Sequence, residues 1–566
     1  MKKLYLLLAL TSISGCYAFG QSAIDAYRFS QPDLKGTARF MSMGGAFGAL
    51  GGDLSTLSQN PGGIGVYRSN EIGATVDLDL QRSTSRSMGM NTTDSQTKFY
   101  LNNIGGVATL RLNSNTLPNL NFGFTYNKGA SFNRRFKGSI PRLSMSMSNY
   151  IAGIANNAGL TVADVTSTDT FDPYNPTDGG IAAPWLTILG YDAYLINPNG
   201  DPDDPHWTGQ WGEAFSDGNT HYPATSGSGY FDVVEKGGID EYNIAIGGNI
   251  SNVLYWGMNF DITSLDYRLQ SIWGEDLQNA WVYNNNTQTV EQTNSQWNMQ
   301  NLYHASGTGF KYELGFIIRP IQEFRIGLAV HTPTWYSISE SYNADILANY
   351  YGDNFNPATN DGRTGYNDVD FRSPWKFIVS AAGVIGSKFI ISADYEWTGT
   401  NHMKFSEASY DDYYDYGYWD YYSLKAAPYN YDSDPYFYTN NDIKDYYQSV
   451  NTLRVGAEYR ITPNFSVRAG YSFSSSPVKK SVRDNKMTVV TSGTAAEYRL
   501  DNTTNYITAG LGYKTGGFYV DLAYVHKNMG SEYHAFTPDP QSSIVSPQAK
   551  LSFTNNQLIL SCGYKF

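Results

Sequence analysis

From Ile72 to Leu80 every second residue is apolar (Ile72, Ala74, Val76, Leu78, Leu80), while Asp77 and Asp79 fall between them. A strand points successive side chains to opposite faces, so this segment has one face suited to hydrocarbon and one that must avoid it. The same alternation recurs at Leu120, Phe122, Phe124 and Tyr126, at Phe310, Tyr312, Leu314, Phe316 and Ile318, and through 389–397, 453–459, 465–473, 507–513 and 518–524. No stretch beyond the first 20 residues approaches the roughly 20 apolar residues that a membrane helix requires. Two-faced strands that meet lipid must close on themselves, because hydrocarbon cannot satisfy an open sheet edge. The pattern predicts an all-β fold, a transmembrane antiparallel β-barrel of about fourteen strands.

The connections test this independently. Ser251 to Val253, Pro320 to Glu323, Gly386-Ser387, Thr462 to Asn464 and Thr515 to Gly517 are tight, and the connections between them are long. Barrels place short turns in the periplasm and long loops outside, which sets external loops at about 134–240, 268–308, 332–374 and 398–451 within a barrel of 67–566. Tandem β-sandwiches also show period two, but nothing in them requires short and long connections to alternate in phase. The last strand puts Leu558, Leu560, Cys562, Tyr564 and Phe566 on one face, and Tyr564 and Phe566 resemble the terminal signal read by barrel-assembly machinery.

Aromatics make up 15% of the chain, charged residues 16%, and the net charge is −13, which argues against a nucleic-acid partner. The two cysteines, Cys16 and Cys562, allow neither an internal disulfide in the mature chain nor a cysteine-built metal site. Residues 1–20 read as a cleaved signal peptide: Lys2 and Lys3, an apolar run from Leu4 to Leu10, then Ala18-Phe19-Gly20 before Gln21. A second reading makes Cys16, in Ile13-Ser14-Gly15-Cys16, a lipidated residue. Either way the expected location is a bacterial outer membrane, in contact with its lipid and lipopolysaccharide, as a monomer.

Residues 21–66 lack alternation but carry Gly44, Gly45, Gly48, Gly51, Gly52, Gly62, Gly63 and Gly65. Such a segment suits tight turns and close backbone approach inside a lumen, and reads as a plug, or hatch. Its apolar residues Phe40, Met41, Met43, Phe47 and Leu50 are expected to pack within the barrel or around an apolar ligand.

Here the sequence resembles the FadL/TodX/OmpP1 outer-membrane transporters of hydrophobic compounds. The resemblance lies in Gly36-Thr37-Ala38-Arg39, Met43-Gly44-Gly45-Ala46-Phe47, Gly52-Asp53 and above all Gln59-Asn60-Pro61-Gly62-Gly63-Ile64, which is similar to the family's Asn-Pro-Ala hatch signature with Gly62 in place of alanine. Pro320 to Gly327, Ala393 to Thr398 and the closing strands extend it. It implies a fourteen-stranded barrel with Asn60, Pro61, Gly62, Gly44 and Gly45 as hatch and gating residues. It further implies passage of a hydrophobic small molecule, with long-chain fatty acids as the best-known cargo, lateral release through the wall, no cofactor and no enzymatic activity.

An outer foothold for such a ligand is expected at Leu143, Met147, Ile151 and Ile154, which share helical spacing, and at Ala183-Pro184-Trp185-Leu186, where a proline opens a second apolar run. The alternative is that these helices pack on each other as a cap. The Tyr- and Asp-rich stretch 409–447 reads as a solvated external loop, with adhesion or calcium binding as sharper alternatives. His331, on an expected lumen face, serves as a wall residue or, in a haem-receptor reading, as an iron ligand. Inward-pointing Asp77, Asp79, Arg111, Lys311, Glu313, Arg325, Asp394, Glu396, Arg454, Glu458, Arg460 and Arg468 are expected to hold the hatch by ion pairs and hydrogen bonds. A surface interaction protein, such as an adhesin or a secretion-system shuttle, is the alternative function on the same barrel.

Overall fold

The computed structural model describes residues 21–31, 33–176, 183–386, 388–408, 434–485, 487–491, 493–538 and 544–566. The leader with Cys16, and 409–433 of the Tyr- and Asp-rich stretch, lie outside the described residues.

Fourteen antiparallel strands close a barrel. They are β1 (Glu71–Ser87), β2 (Met90–Arg111), β3 (Asn119–Ser131), β4 (Ser226–Ile250), β5 (Leu254–Asn284), β6 (Thr289–Ile321) and β7 (Phe324–His331). The second half comprises β8 (Lys376–Ile385), β9 (Phe389–Thr398), β10 (Val450–Arg460), β11 (Phe465–Ser474), β12 (Tyr498–Thr515), β13 (Phe518–His534) and β14 (Gln548–Lys565). Closure is made by β14 against β1, in register from Glu71↔Lys565 to Arg86↔Lys550.

The two faces follow the sequence alternation. Ile72, Leu78 and Leu80 point outward and are exposed, while Asp77 and Asp79 point inward and are buried. Higher on the same strand the outward positions become Arg82 and Arg86, and on β5 the outward series Met258, Ile262 gives way to Ser264, Asp266 and Arg268. This change marks the upper limit of the lipid band. Among the described residues no helix is long and apolar enough to cross a membrane.

Several strands continue far above that limit. β5 and β6 contain 31 and 33 residues, against the roughly 9–11 that cross a bilayer. The stretch 268–308, expected as a loop, is therefore the upper part of a hairpin that pairs from Leu254↔Ile318 to Asn284↔Thr289. The reason is on its inner face, where Tyr267, Leu269, Trp273 and Leu277 remain apolar and buried in an extracellular core. Likewise 332–374 is largely a hairpin, with Trp335–Tyr350 paired to Gly365–Arg372.

That core fills the tower. Helix α3 (Met147–Ala158) starts at Ser146, whose side chain caps Ser148 N, and its first amide, Met147 N, donates to Glu275 at 2.8 Å. Helix α4 (Trp185–Asp192) follows Pro184, and α5 (Phe437–Tyr446) packs against the helix Ala23–Arg28.

The amino-terminal segment threads the barrel from top to bottom. Its first helix, α1 (Ala23–Arg28), buries Ala23, Ile24 and Ala26 in the tower core, and Tyr27 stacks on Tyr447 with ring centroids 5.3 Å apart. After α2 (Ala38–Ser42), Phe40, Met41, Met43 and Phe47 pack with Ala382, Tyr506 and Val525 of the wall. A lower cluster joins Leu54, Leu57 and Ile64 to Val107 and Ala245.

Candidate functional site

The turn Pro61–Val66 sits directly on the wall. Asn60 precedes it, accepting from Gly62 N at 3.0 Å and donating through Nδ2 to Gly48 O at 2.5 Å and to Phe316 O of β6 at 3.2 Å. One carboxamide thus joins two parts of the segment to a barrel strand, which requires a donor and an acceptor on the same group. A Cβ on Gly62 would lie 2.9 Å from the Phe316 backbone, so the turn leaves no room for a side chain there. Gly44 has φ +63°, and its Cβ would lie 2.9 Å from the backbone of Tyr471.

Charges supply the remaining attachments. Lys35 meets Asp77 at 2.8 Å, Arg39 meets Glu458 at 3.0 Å, and Asp394 accepts from Gly48 N at 3.0 Å and from Gln59 at 2.9 Å. Burial opposes the charge on Lys35, but Asp33 and Asp77 hold its pKa above the usual lysine value. Burial opposes ionisation of Asp33, and Lys527 and Lys35 overcome it, drawing its carboxyl below the usual range. His331 has its Nε2 at 2.8 Å from Gln59 O and its Nδ1 at 3.3 Å from Glu313. Both ring nitrogens are engaged, so the haem-ligand alternative finds no free nitrogen there.

Two chambers flank the descending arm at Gln31, Asp33 and Leu34. One is lined by Tyr27, Tyr506, Met529 and Phe553 together with Arg134, Arg454 and Lys527 and the carboxylates of Asp33, Asp79, Asp94 and Asp501. The other reaches Phe40, Lys311, His331 and Glu396. Of the four hatch residues expected to touch ligand, Phe40 lines a chamber, whereas Met41, Met43 and Phe47 are buried in the lower core. Leu143, Met147, Ile151 and Trp185 are all buried in the tower core, with Trp185 edge-on to Tyr174 at 5.4 Å, so among the described residues they pack together as a cap.

The wall itself has a seam that sequence reasoning missed. β2 and β3 pair only from Asn103↔Asn127 down to Arg111↔Asn119. Above that level β2 pairs with β1 alone, and the chain leaving β3 turns inward, so that Arg134–Ile140 pairs with β4 and Arg135 O accepts from Ser83 of β1 at 2.5 Å. Asp94 and Gln96 of β2 and Ala130 and Ser131 of β3 flank the seam and also line the first chamber. A hydrogen bond bridges it, from Ser131 Oγ to the Tyr100 hydroxyl at 3.0 Å. A bulge lies at its edge, the register shift between Lys128 and Ala130 at Gly129.

A fourteen-strand barrel with a lipid band, a filled lumen and a tall outer rim is an outer-membrane β-barrel protein. Residues 239–514 match the family described as outer membrane protein transport protein (OMPP1/FadL/TodX). Among solved structures, a Pseudomonas aeruginosa FadL homologue is 12% identical with a TM-score of 0.51, covering 95% of this chain and 100% of that chain. The P. putida toluene transporter TodX is 12% identical with a TM-score of 0.44, covering 94% and 99%. At such identities the first likeness speaks to fold alone, and the second carries no argument. No curated protein matches the sequence.

Proposed function

We propose that this protein takes up a hydrophobic small molecule across the outer membrane, with residues 21–66 as the hatch and the β2–β3 seam as the route out of the lumen. The observation that carries this reading is the contact between chamber and seam: Ser131 lines the one and bridges the other. On the outer face beside the seam, Phe99 and Leu101 are exposed at lipid level. A ligand leaving there enters hydrocarbon without crossing the hatch. The chamber's aromatic wall, with cations and carboxylates of both signs beside it, suits an amphiphile with a polar head, of which a long-chain fatty acid is one kind. Asn60, Pro61, Gly62, Gly44 and Gly45 then fix the stopper, and the arm above Lys35 is the part that yields to ligand.

Mass spectrometry of lipids bound to gently extracted protein tests the reading. Stoichiometric fatty acid or a comparable lipophile is expected, lost on substitution of chamber residues Arg454 and Tyr506. Empty protein, together with unaltered uptake in cells lacking it, would sink the proposal.

A surface-interaction role is favoured by one observation. Near the tower's outer end Phe215, Tyr222 and Trp281 stack at 4.6 to 5.7 Å, and Phe215 is half exposed. Deleting the hairpin 215–222 should abolish attachment and spare uptake if the tower serves adhesion.

A further inference from the structure

The periplasmic floor of the barrel is electrostatically divided. On one side Arg39 and Arg468 share Glu458, Arg468 also meets Asp521, and Lys565 meets Glu71. The other side, from β2 to β7, carries Arg68, Arg111, Arg319 and Arg325, none of which forms an ion pair among the described residues.

Arg325 is the centre of this group. Its Nη1 donates to Leu50 O of the hatch at 2.7 Å, which fixes the side chain on the lumen side, and its Nε is buried without a hydrogen-bond partner. Its cationic neighbours are Arg319, Arg39 and Arg68. Arg68 lies over the Tyr255 ring at 6.0 Å and spends its donors on the carboxamides of Asn119 and Asn252, neutral acceptors that leave its charge uncompensated. The nearest acid along the chain, Glu323 in the β6–β7 turn, is exposed. Like charges gathered in a partly enclosed, low-dielectric floor repel one another, and an anion placed among them removes that repulsion while filling an orphaned donor.

We infer that this half-ring is an oxyanion site at the periplasmic mouth, centred on Arg325 and Arg319, which takes a carboxylate or phosphate group. The guanidinium fork matches either group in two-point contact. The anion has two possible sources, the acidic head of an amphiphile held in the barrel or free phosphate from the periplasm. The inference follows from charge placement and does not rest on the transport reading, which stands or falls on co-purified cargo.

Calorimetric titration of the detergent-solubilised full chain with inorganic phosphate, acetate and hexanoate tests it. Wild type is expected to bind phosphate, hexanoate or both, with affinity falling as salt rises, and the Arg319→Gln/Arg325→Gln variant at least tenfold more weakly. Arg325→Lys should retain part of the binding. Phosphate preferred over both carboxylates assigns the site to a free anion, and hexanoate tighter than acetate assigns it to an amphiphile's head. No binding by wild type at millimolar anion, or equal binding by the double variant, overturns the site. Heat-modifiable mobility checks that the barrel remains folded, and Arg319→Gln alone serves if the double variant does not assemble.

Discussion

Asn60 Nδ2 donates to the backbone oxygen of Phe316 at 3.2 Å, and through this contact the amino-terminal turn is tied to a strand more than two hundred residues away in sequence. Replacing Asn60 by Asp preserves the acceptor for Gly62 N and removes both donated bonds, placing a carboxylate against two carbonyl oxygens. A buried polar mismatch of this kind costs about 1–3 kcal/mol. The expected outcome is a hatch that opens more readily in a barrel that still assembles. Entry of a small hydrophilic antibiotic into cells should rise for Asn60→Asp more than for Asn60→Ala, with heat-modifiable mobility unchanged. Equal, wild-type entry in both variants would remove Asn60 from the gate.

Gly62 offers a sharper steric test. A methyl group there would meet the Gly315 and Phe316 backbone at 2.9 Å, and a strand of a closed barrel has little room to retreat. Gly62→Ala should loosen the seat by about 1–3 kcal/mol. Hydrogen exchange of residues 59–66 should accelerate while that of β10 to β14 stays the same. Unchanged exchange at 59–66 would mean that the turn can shift as a body.

How far the sequence disclosed all this depends on what each feature rests on. The barrel was legible because lipid enforces a two-residue period at Ile72 to Leu80 and a tight turn at alternate ends. The inward carboxylates were legible for the same reason, and Asp77 and Asp394 do hold the segment by Lys35, Gly48 and Gln59. The tower was misread at 268–308 because its outward residues turn polar above the membrane, which looks like a loop unless the inner series Tyr267, Leu269, Trp273 is followed on its own. The seam was invisible because it depends on which strands fail to pair, a relation between Asn103 and Asn127 that neither residue carries by itself. Met147 and Ile151 read equally as groove or core, since one apolar stripe suits both and only the facing helix and strands decide.

The tower should respond to pH through α5. Burial pushes the Asp442 carboxyl up to about 7, with the neighbouring Asp445 adding to the shift and a hydrogen bond from Tyr446 opposing it. An unfolded aspartate ionises near pH 4, by contrast. A group raised in the folded state contributes its full stability below the unfolded pKa and loses it as pH rises through the folded one. Protection of α5 against proteolysis or hydrogen exchange should therefore decline between about pH 4 and 7 and then level off. Asp442→Asn should flatten this profile and leave α5 better protected at pH 8. A wild-type profile as flat as the variant's would show that Asp442 reaches water.

The seam makes the last prediction, and the most direct one for transport. Tyr100 and Ser131 face each other across a stretch of wall with no backbone pairing, so a covalent link there should close the route without disturbing the rest of the barrel. Cysteines at both positions, in a chain whose exposed Cys562 is replaced by serine, can be oxidised or reduced at will. If ligand leaves between β2 and β3, the oxidised form should bind the lipophile and fail to deliver it, and reductant should restore uptake at least tenfold. A pair placed as a control across β12 and β13, where the outward-facing Leu511 opposes Leu522, should change nothing. Full uptake by the oxidised seam variant would send the ligand elsewhere, and would leave the floor beneath the hatch as the remaining exit.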